Sequence, residues 1–169
     1  MLADQITYRM ATPDDVEAIL ALIRELADYE RAADEVEATP ELLRASMFEE
    51  RAAEALLAEH PTDGIVGMAL FFRNFSTWTG TPGMYLEDLV VTQRYRAHGI
   101  GRALFEGLAR ICEERGWPRL DWACLDWNEP SLRFYRGIGA ARMDEWVHHR
   151  LEGEALADLA KANREGVAR

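Results

Sequence analysis

One stretch of the chain constrains the fold more than any other: an apolar strand runs into a basic, glycine-containing turn that opens directly into a helix. The strand is predicted over residues 84–92 and the helix over residues 99–115. Gly99 and Gly101 let a ligand approach the backbone closely, and the first N–H groups of a helix lack partners within it. Residues 96–99, here called the phosphate turn, therefore have the character of a pyrophosphate site.

A second interpretation of this stretch stays open at this point. A glycine-containing turn that simply starts a helix, with its arginines in solvent, is a common structural element. The pattern is neither the dinucleotide-binding GxGxxG fingerprint nor a P-loop, because no GK[ST] follows it. The turn alone is a weak functional signal.

The order of elements along the chain predicts a mixed sheet with helices on both faces. Thr12 is the predicted N-cap of the first helix, with Pro13 at its first position and Asp15 at its third. Strands are predicted over residues 6–10, 55–59, 65–73, 84–92, 120–125 and 140–151, and helices over 12–29, 40–48, 99–115 and 128–137. The second and third strands are expected to form a hairpin, and residues 74–83 a loop.

Charge narrows the class of partner. The chain of 169 residues has 30 acidic and 19 basic residues, a net charge of −11, and residues 1–60 hold 15 acidic and 5 basic residues of these totals. A nucleic-acid or anionic membrane partner is not expected, since phosphate contacts need a basic face. The same field attracts cations, although an acidic solvated surface would explain the charge equally well.

Cysteine and histidine usage predicts a cytoplasmic protein without a metal site. Cys112 and Cys124 lie in apolar contexts without CxxC spacing, as expected of reduced thiols. The four histidines have no metal-ligand spacing. We expect no signal peptide and no transmembrane helix, because the sequence has neither a basic segment leading into an apolar run near its start nor an apolar window of about 18 residues.

A second motif, LDWNEPSLRFYRGIGA over residues 125–140, follows the long helix. RxxGxG together with WNEPSxxFYxxxGA resembles the Gcn5-related N-acetyltransferase (GNAT) superfamily over residues 6–151. Within it, ELADYE, STW and YLED look like the spermidine/spermine N-acetyltransferase family and its thialysine Nε-acetyltransferase branch. The resemblance implies an α/β fold of the GNAT acyl-CoA N-acyltransferase type, with a mixed, mostly antiparallel sheet. A single domain is expected over residues 1–152, followed by a charged tail, 153–169, that could form a helix.

The resemblance also implies the site residues. Tyr135 would be the acid that protonates the leaving thiolate, and Glu87 the base that receives the amine proton. The cosubstrate, acetyl-CoA, would be held by backbone and polar groups of Leu89, Val90, Val91, Arg96, Ala97, His98, Gly99, Ile100, Gly101, Arg102, Asn128 and Ser131. The amine channel would be formed by Tyr29, Glu30, Trp78, Glu87 and Glu145. Glu145 stands in Glu-Trp where the family has Glu-Gly-Trp.

The implied reaction is direct acetyl transfer in a ternary complex from acetyl-CoA to a primary amine of a small cation, such as a polyamine, thialysine or a lysine-like diamine. No nucleophilic cysteine or serine with a neighbouring base is evident, so a covalent intermediate is not expected. The alternatives are acetylation of a protein, peptide or xenobiotic amine, and a sensor that binds acetyl-CoA without catalysis. The family commonly forms dimers, so a homodimer is expected.

Overall fold

A five-stranded sheet forms the centre of the computed structural model, which describes residues 5–161. The strand order is β1-β2-β3-β4-β5; all neighbours are antiparallel except β4 and β5, which are parallel. The strands are β1 Thr7–Met10, β2 Glu54–His60, β3 Gly64–Ser76, β4 Thr81–Val91 and β5 Leu120–Trp122. The helices are α1 Val16–Glu30, α2 Pro40–Arg44, α3 Ile100–Arg115, α4 Glu129–Gly137 and α5 Gly153–Lys161. The predicted mixed, mostly antiparallel sheet is confirmed.

Helices pack on both faces of the sheet, as predicted, because the strands alternate apolar side chains. On β2, Leu57 joins a buried cluster with Ile19 and Leu22 of α1. The neighbouring Leu56 points to the opposite face, where a side chain added at Gly107 of α3 would collide with it. Glycine at 107 therefore lets α3 lie close to the sheet.

An extra residue in β4 interrupts the pleat of the sheet. Leu70 of β3 is paired with Asp88, whereas the next residue, Phe71, is paired with Leu86. Glu87 is thus the bulged residue, without a partner opposite it on β3. A bulge bends its strand and redirects the side chain at that position, and such irregularities are common beside active sites.

The start of the first helix follows its sequence signals. A 3₁₀ turn, Pro13–Asp15, leads into α1, and Thr12 is its N-cap in a reciprocal capping box with Asp15. The Asp15 carboxylate accepts hydrogen bonds from the Thr12 amide at 2.7 Å and from Arg9. The Arg9 hydrogen bonds lower the pKa of Asp15 to about 2, despite its burial. The cap therefore stays ionised at every ordinary pH.

The predicted hairpin of β2 and β3 is confirmed, but three other expectations need correction. Residues 74–83 do not form a loop: β3 and β4 continue their pairing to Ser76 and Thr81, leaving only a tight turn. The fifth strand ends at Trp122 rather than at residue 125. Residues 140–151 form no strand, since nothing within residues 5–161 pairs with them. An alternating pattern cannot make a strand without a neighbour to bond its backbone.

The chain divides into two compact units, Met1–Ala123 and Cys124–Arg169. The first contains the sheet with α1, α2 and α3, and the second contains α4 and α5. A domain that ends at residue 152 stays a prediction. Among residues 5–161, no helix combines the length and the apolar character that crossing a membrane requires.

Candidate functional site

The second half of β4 has an edge that no strand covers within residues 5–161. Pairing with β5 is confined to Met84, Tyr85 and Leu86, so β4 runs on alone on that side from the bulge onward. The Thr92 amide donates to Val66 of β3 at 2.9 Å. Alternate residues of an antiparallel strand bond to the same neighbour. The backbone groups of Val90 therefore form hydrogen bonds with β3, whereas those of Leu89 and Val91 point to the open edge.

The phosphate turn has the backbone shape of an anion site. Ala97 has φ +63° and Gly99 has φ +84°, so two of four residues adopt the left-handed conformation. No side chain caps the start of α3. A Cβ at Gly101 would meet nothing within 4 Å, which leaves room beside the first helical turn. The N–H groups there are available to an anion, and the helix dipole favours one.

The arginine side chains near the turn are engaged with acids of the protein. Arg96 lies 3.5 Å from the Glu25 carboxylate, donates from Nε to the Val91 carbonyl at 2.8 Å and stacks over the Tyr29 ring. Arg102 lies 3.8 Å from Glu106 in an exposed pair. The guanidinium of Arg96 is therefore held against α1, and we interpret the turn as an anion site built mainly from backbone groups.

Three carboxylates converge where the end of α1 meets the bulge of β4. Burial raises the pKa of Glu30, the last residue of α1. Burial, followed by the charges of Glu87 and Glu30, raises the pKa of Asp88 to about 6. Asp88 lies opposite Leu70, on the face of the sheet that α1 covers. The negative potential of this acidic cluster, Glu30, Glu87 and Asp88, would be relieved by a bound cation.

Sequence reasoning missed Asp88. It stands beside Glu87 in a strand, where strict alternation would have placed the two side chains on opposite faces. The adjacent acidic pair was visible, but the bulge that breaks the alternation was not. A pair of acids inside an otherwise apolar strand is the signal that could have identified it.

The raised pKa of Asp88 gives a testable effect on stability. Because its value in the folded chain, about 6, exceeds the ordinary 3.8, the folded state is penalised when Asp88 is ionised. This penalty, of roughly 2–3 kcal/mol at pH 7.5, disappears as the pH falls through 6 towards 4. Asp88→Asn should therefore raise the free energy of unfolding at pH 7.5 and leave it nearly unchanged at pH 4.

Urea unfolding of both proteins at pH 4, 5.5 and 7.5 measures this difference. Asp34→Asn is the matched control, because Asp34 is exposed in the 3₁₀ turn Ala33–Glu35 and loses the same charge. If the free energies of unfolding of Asp88→Asn and of the unaltered chain differed by the same amount at all three pH values, the prediction would be contradicted.

The other predicted channel residues of the first unit lie in different places. Tyr29 is at the end of α1, where its ring lies 5.1 Å from the Arg96 guanidinium carbon. Trp78 is 89% exposed in the turn between β3 and β4. About six strand residues separate that turn from Glu87, which corresponds to roughly 20 Å. Within one chain the structure brings Tyr29 near the turn and leaves Trp78 at the far end of the hairpin.

The second unit holds the remaining predicted residues around α4. Asn128 is buried and caps this helix, since its side-chain oxygen accepts from the Ser131 amide at 3.3 Å. Tyr135 is half-buried near the end of α4, with its ring 5.4 Å from that of Phe134. Glu145 is exposed in a turn closed by a hydrogen bond from Trp146 to Met143.

Comparison with known proteins assigns this arrangement to a family. The sequence profile of the acetyltransferase (GNAT) family matches residues 19–140. The chain belongs to the GNAT acetyltransferase family. It is 38% identical to the thialysine N-epsilon-acetyltransferase of Bos taurus over 166 residues, covering 92% of this chain and 97% of that protein.

Two further similarities extend the comparison. An L-ornithine N5-acetyltransferase of Arabidopsis thaliana is 28% identical over 200 residues, covering 92% of this chain and 88% of that protein. An integron cassette protein from the mobile metagenome of V. cholerae superposes with a TM-score of 0.78 at 26% identity, over 93% of this chain and 98% of that one. This GNAT protein is therefore an acyltransferase that moves an acetyl group to an amine, as the sequence predicted.

The residues present fit the cosubstrate of the family. GNAT acetyltransferases use acetyl-CoA, whose pantetheine arm carries amides and whose nucleotide end carries a pyrophosphate. The open edge of β4 offers backbone donors and acceptors, and the uncapped start of α3 offers N–H groups to an anion. Among residues 5–161, no group of three His, Cys, Asp or Glu side chains could hold a metal ion.

Proposed function

We propose that this GNAT protein transfers the acetyl group of acetyl-CoA to a primary amine of a small cationic substrate, by direct attack in a ternary complex. The observation that carries the proposal is the acidic cluster at the end of α1 and the bulge of β4. Burial, followed by the charges of Glu87 and Glu30, raises the pKa of Asp88, so the ionised form of Asp88 is destabilised in this cluster. An ammonium group bound among the three carboxylates would stabilise the ionised form of Asp88.

The chemistry requires the amine to lose its proton before it attacks. An alkyl ammonium has a pKa of about 10.4, so presenting the free amine at pH 7.5 costs about 4 kcal/mol. We propose Glu87 as the base that accepts this proton, directly or through a water molecule. Its place on the bulge supports that role, because the side chain is exposed at the open part of β4.

The pantetheine arm of the cosubstrate is proposed to lie along the open edge of β4 and to form hydrogen bonds with its backbone, as a further strand would. The register favours Leu89 and Val91 over Val90 for this pairing, since the Val90 backbone is committed to β3. The Leu89 N–H group would stabilise the developing oxyanion of the thioester carbonyl. Backbone N–H groups of the phosphate turn and of Ile100, Gly101 and Arg102 would bind the pyrophosphate.

The resemblance to the family motif supplies the remaining site residues of the proposal, which are Tyr135, Asn128, Ser131 and Glu145. Tyr135 would donate its phenolic proton to the leaving thiolate, so that the thiol rather than its anion departs. The amine proton and the phenol proton balance, since one is accepted by Glu87 and the other supplied by Tyr135.

The names of related enzymes support an acceptor with a second polar group. Relatives of this chain are named for thialysine and for L-ornithine, both of which are amino acids with a side-chain amine. An acceptor of that class carries a primary ammonium for the acidic cluster. A polyamine carries the same group, so the acceptor panel must separate the two.

The test is a panel of acceptors with the purified full chain and acetyl-CoA, in which release of the free thiol is followed. The panel contains thialysine, ornithine, spermidine, propylamine and a peptide with a free amino terminus. We expect kcat/KM for at least one of the first three to exceed that for propylamine about tenfold or more, because a second charged group adds contacts.

Three outcomes would overturn the proposal. Turnover of the peptide alone would indicate an acetyltransferase for protein or peptide amines. Equal turnover of propylamine and the first three acceptors would overturn the proposed acceptor class, because the second charged group would then add no contacts. Tight binding of acetyl-CoA without turnover of any amine would indicate a sensor.

We further propose a cytoplasmic homodimer. Large apolar side chains of the second unit are exposed, among them Met143, Trp146 and Val147, which is 75% exposed. Solvent exposure of several such groups in one segment is typical of surfaces that another chain covers. Measurement of the molar mass in solution tests the dimer, and a monomeric mass at micromolar concentration would contradict it.

A further inference from the structure

The segment that precedes the phosphate turn is anchored by a turn distant in sequence. The 3₁₀ turn Gln93–Tyr95 connects β4 to the phosphate turn. The Tyr95 hydroxyl donates to Oδ2 of Asp63 at 2.6 Å, and Arg94 Nη1 donates to the same oxygen at 2.6 Å. Asp63 lies in the turn between β2 and β3, about thirty residues earlier. One carboxylate thus binds two successive side chains of the connecting segment.

The Asp63 carboxylate is itself fixed in place. The Thr62 hydroxyl donates to its Oδ1 at 3.0 Å, and the Asp63 amide donates to His60 Nδ1 at 3.3 Å. Because His60 Nδ1 receives amide protons, the ring proton is on Nε2, which donates to Gln5 Oε1 at 3.1 Å. His60 is buried, and its ring lies 5.4 Å from that of Tyr95, which is 2% exposed. The anchor is therefore a directional network that is only partly buried: the rings of His60 and Tyr95 are buried, whereas Asp63 and Arg94 are exposed.

The opposite side of the same segment is bonded to α1. The Gln93 amide donates to Oε1 of Glu25 at 3.1 Å, and Arg96 lies 3.5 Å from that oxygen. Residues 93 and 96 are thus held by the helix, whereas residues 94 and 95 are held by the β2–β3 turn. The next residue, Ala97, has φ +63°, a conformation that costs free energy in a residue with a Cβ and persists only where its surroundings hold it.

We propose that Asp63 is a positioning residue for the pyrophosphate of acetyl-CoA: it fixes Arg94 and Tyr95, and through them the phosphate turn, without touching the ligand. This inference rests on the proposed function, because it takes the phosphate turn as the pyrophosphate site. Its consequence is selective. Loss of the anchor should weaken binding of the nucleotide end of the cosubstrate and leave the chemistry at the thioester unchanged.

The experiment compares two thioesters, acetyl-CoA and S-acetylpantetheine, with the full chain and the best acceptor amine. S-acetylpantetheine has the same reactive group and lacks the pyrophosphate. Asp63→Asn removes the charge, and Tyr95→Phe removes only the hydroxyl and keeps the Asp63–Arg94 pair. Each variant should raise KM for acetyl-CoA about tenfold and keep kcat within about twofold of the value for the unaltered chain. With S-acetylpantetheine, kcat/KM should also stay within about twofold of the unaltered value.

Asp34→Asn, the same change at an exposed position, should leave both thioesters unaffected. An equal fall in kcat/KM for the two thioesters would show a general structural role and overturn the proposal. An unchanged KM for acetyl-CoA in both variants would overturn it as well. If the unaltered chain released no thiol from either thioester, both the proposed function and this inference would be wrong. If the unaltered chain is active and the variants lack the expected difference between the two thioesters, only the role of Asp63 is wrong.

Discussion

Glu87→Gln is expected to lower kcat about a hundredfold and to leave the Kd for acetyl-CoA unchanged. A positioned general base contributes roughly 10²- to 10⁴-fold. The lower end applies here because Asp88 stands beside Glu87 and is able to accept a proton in its place. Glutamine keeps the size and hydrogen-bonding capacity of the side chain, so the change removes only the basic group.

The pH dependence distinguishes a base from a packing residue. As the pH approaches the pKa of the ammonium group, about 10.4, a growing fraction of the amine is unprotonated without the action of a base. The defect of Glu87→Gln should therefore be smaller at pH 9.5 than at pH 7.5. Glu113→Gln, at an exposed position of α3, is the matched control. A fall of less than threefold in kcat, or an equal defect at both pH values, would exclude the role of Glu87 as the base.

Tyr135→Phe should lower kcat between about 10- and 100-fold, with the Kd for acetyl-CoA within about twofold. The expected effect is at or below the low end for acid catalysis, because a thiol with a pKa near 8.5 is already a fair leaving group. The ring remains in the variant, so the half-buried packing of α4 is kept. Steady-state kinetics and titration with CoA separate the two quantities.

A tyrosine elsewhere in the chain provides the comparison. Tyr8 of β1 is also half-buried, and its pKa is raised by burial and by the charge of Glu106. Tyr8→Phe should leave kcat unchanged. If Tyr135→Phe weakened acetyl-CoA binding by the same factor as it lowers kcat, Tyr135 would be a packing residue instead of the acid.

Local signals in the sequence were sufficient for much of the fold. Thr12, Pro13 and Asp15 define a helix start through chemistry that acts within four residues, and Gly99 marks the start of α3 in the same way. The β2–β3 hairpin was equally readable, because its turn lies between two apolar runs. Residues 140–151 were misjudged since their alternating pattern requires a neighbouring strand, which a local pattern cannot specify.

The candidate site was predictable in its residue types and less so in its geometry. The motif indicated residues 89–91 as a group, but only the register distinguishes the Leu89 and Val91 backbones from that of Val90. The basic residues suggested a positively charged turn, whereas Arg94 and Arg96 are paired with Asp63 and Glu25. Those partners lie about thirty and seventy residues away, beyond the range of any local pattern.

The bulge in β4 adds one residue between two side chains that belong to opposite hydrophobic cores. Before the bulge, Met84 faces α3, where its sulfur lies 4.0 Å from that of Cys112; after it, Val90 faces the α1 cluster. Two even-numbered residues of one strand therefore serve opposite cores. Deleting Glu87 would restore the regular pleat and leave both side chains on their own faces, because they would then be five positions apart, as their β3 partners Arg73 and Met68 are. Neither hydrophobic core therefore requires the extra residue of β4; what the bulge contributes is the redirected acidic side chain of Glu87.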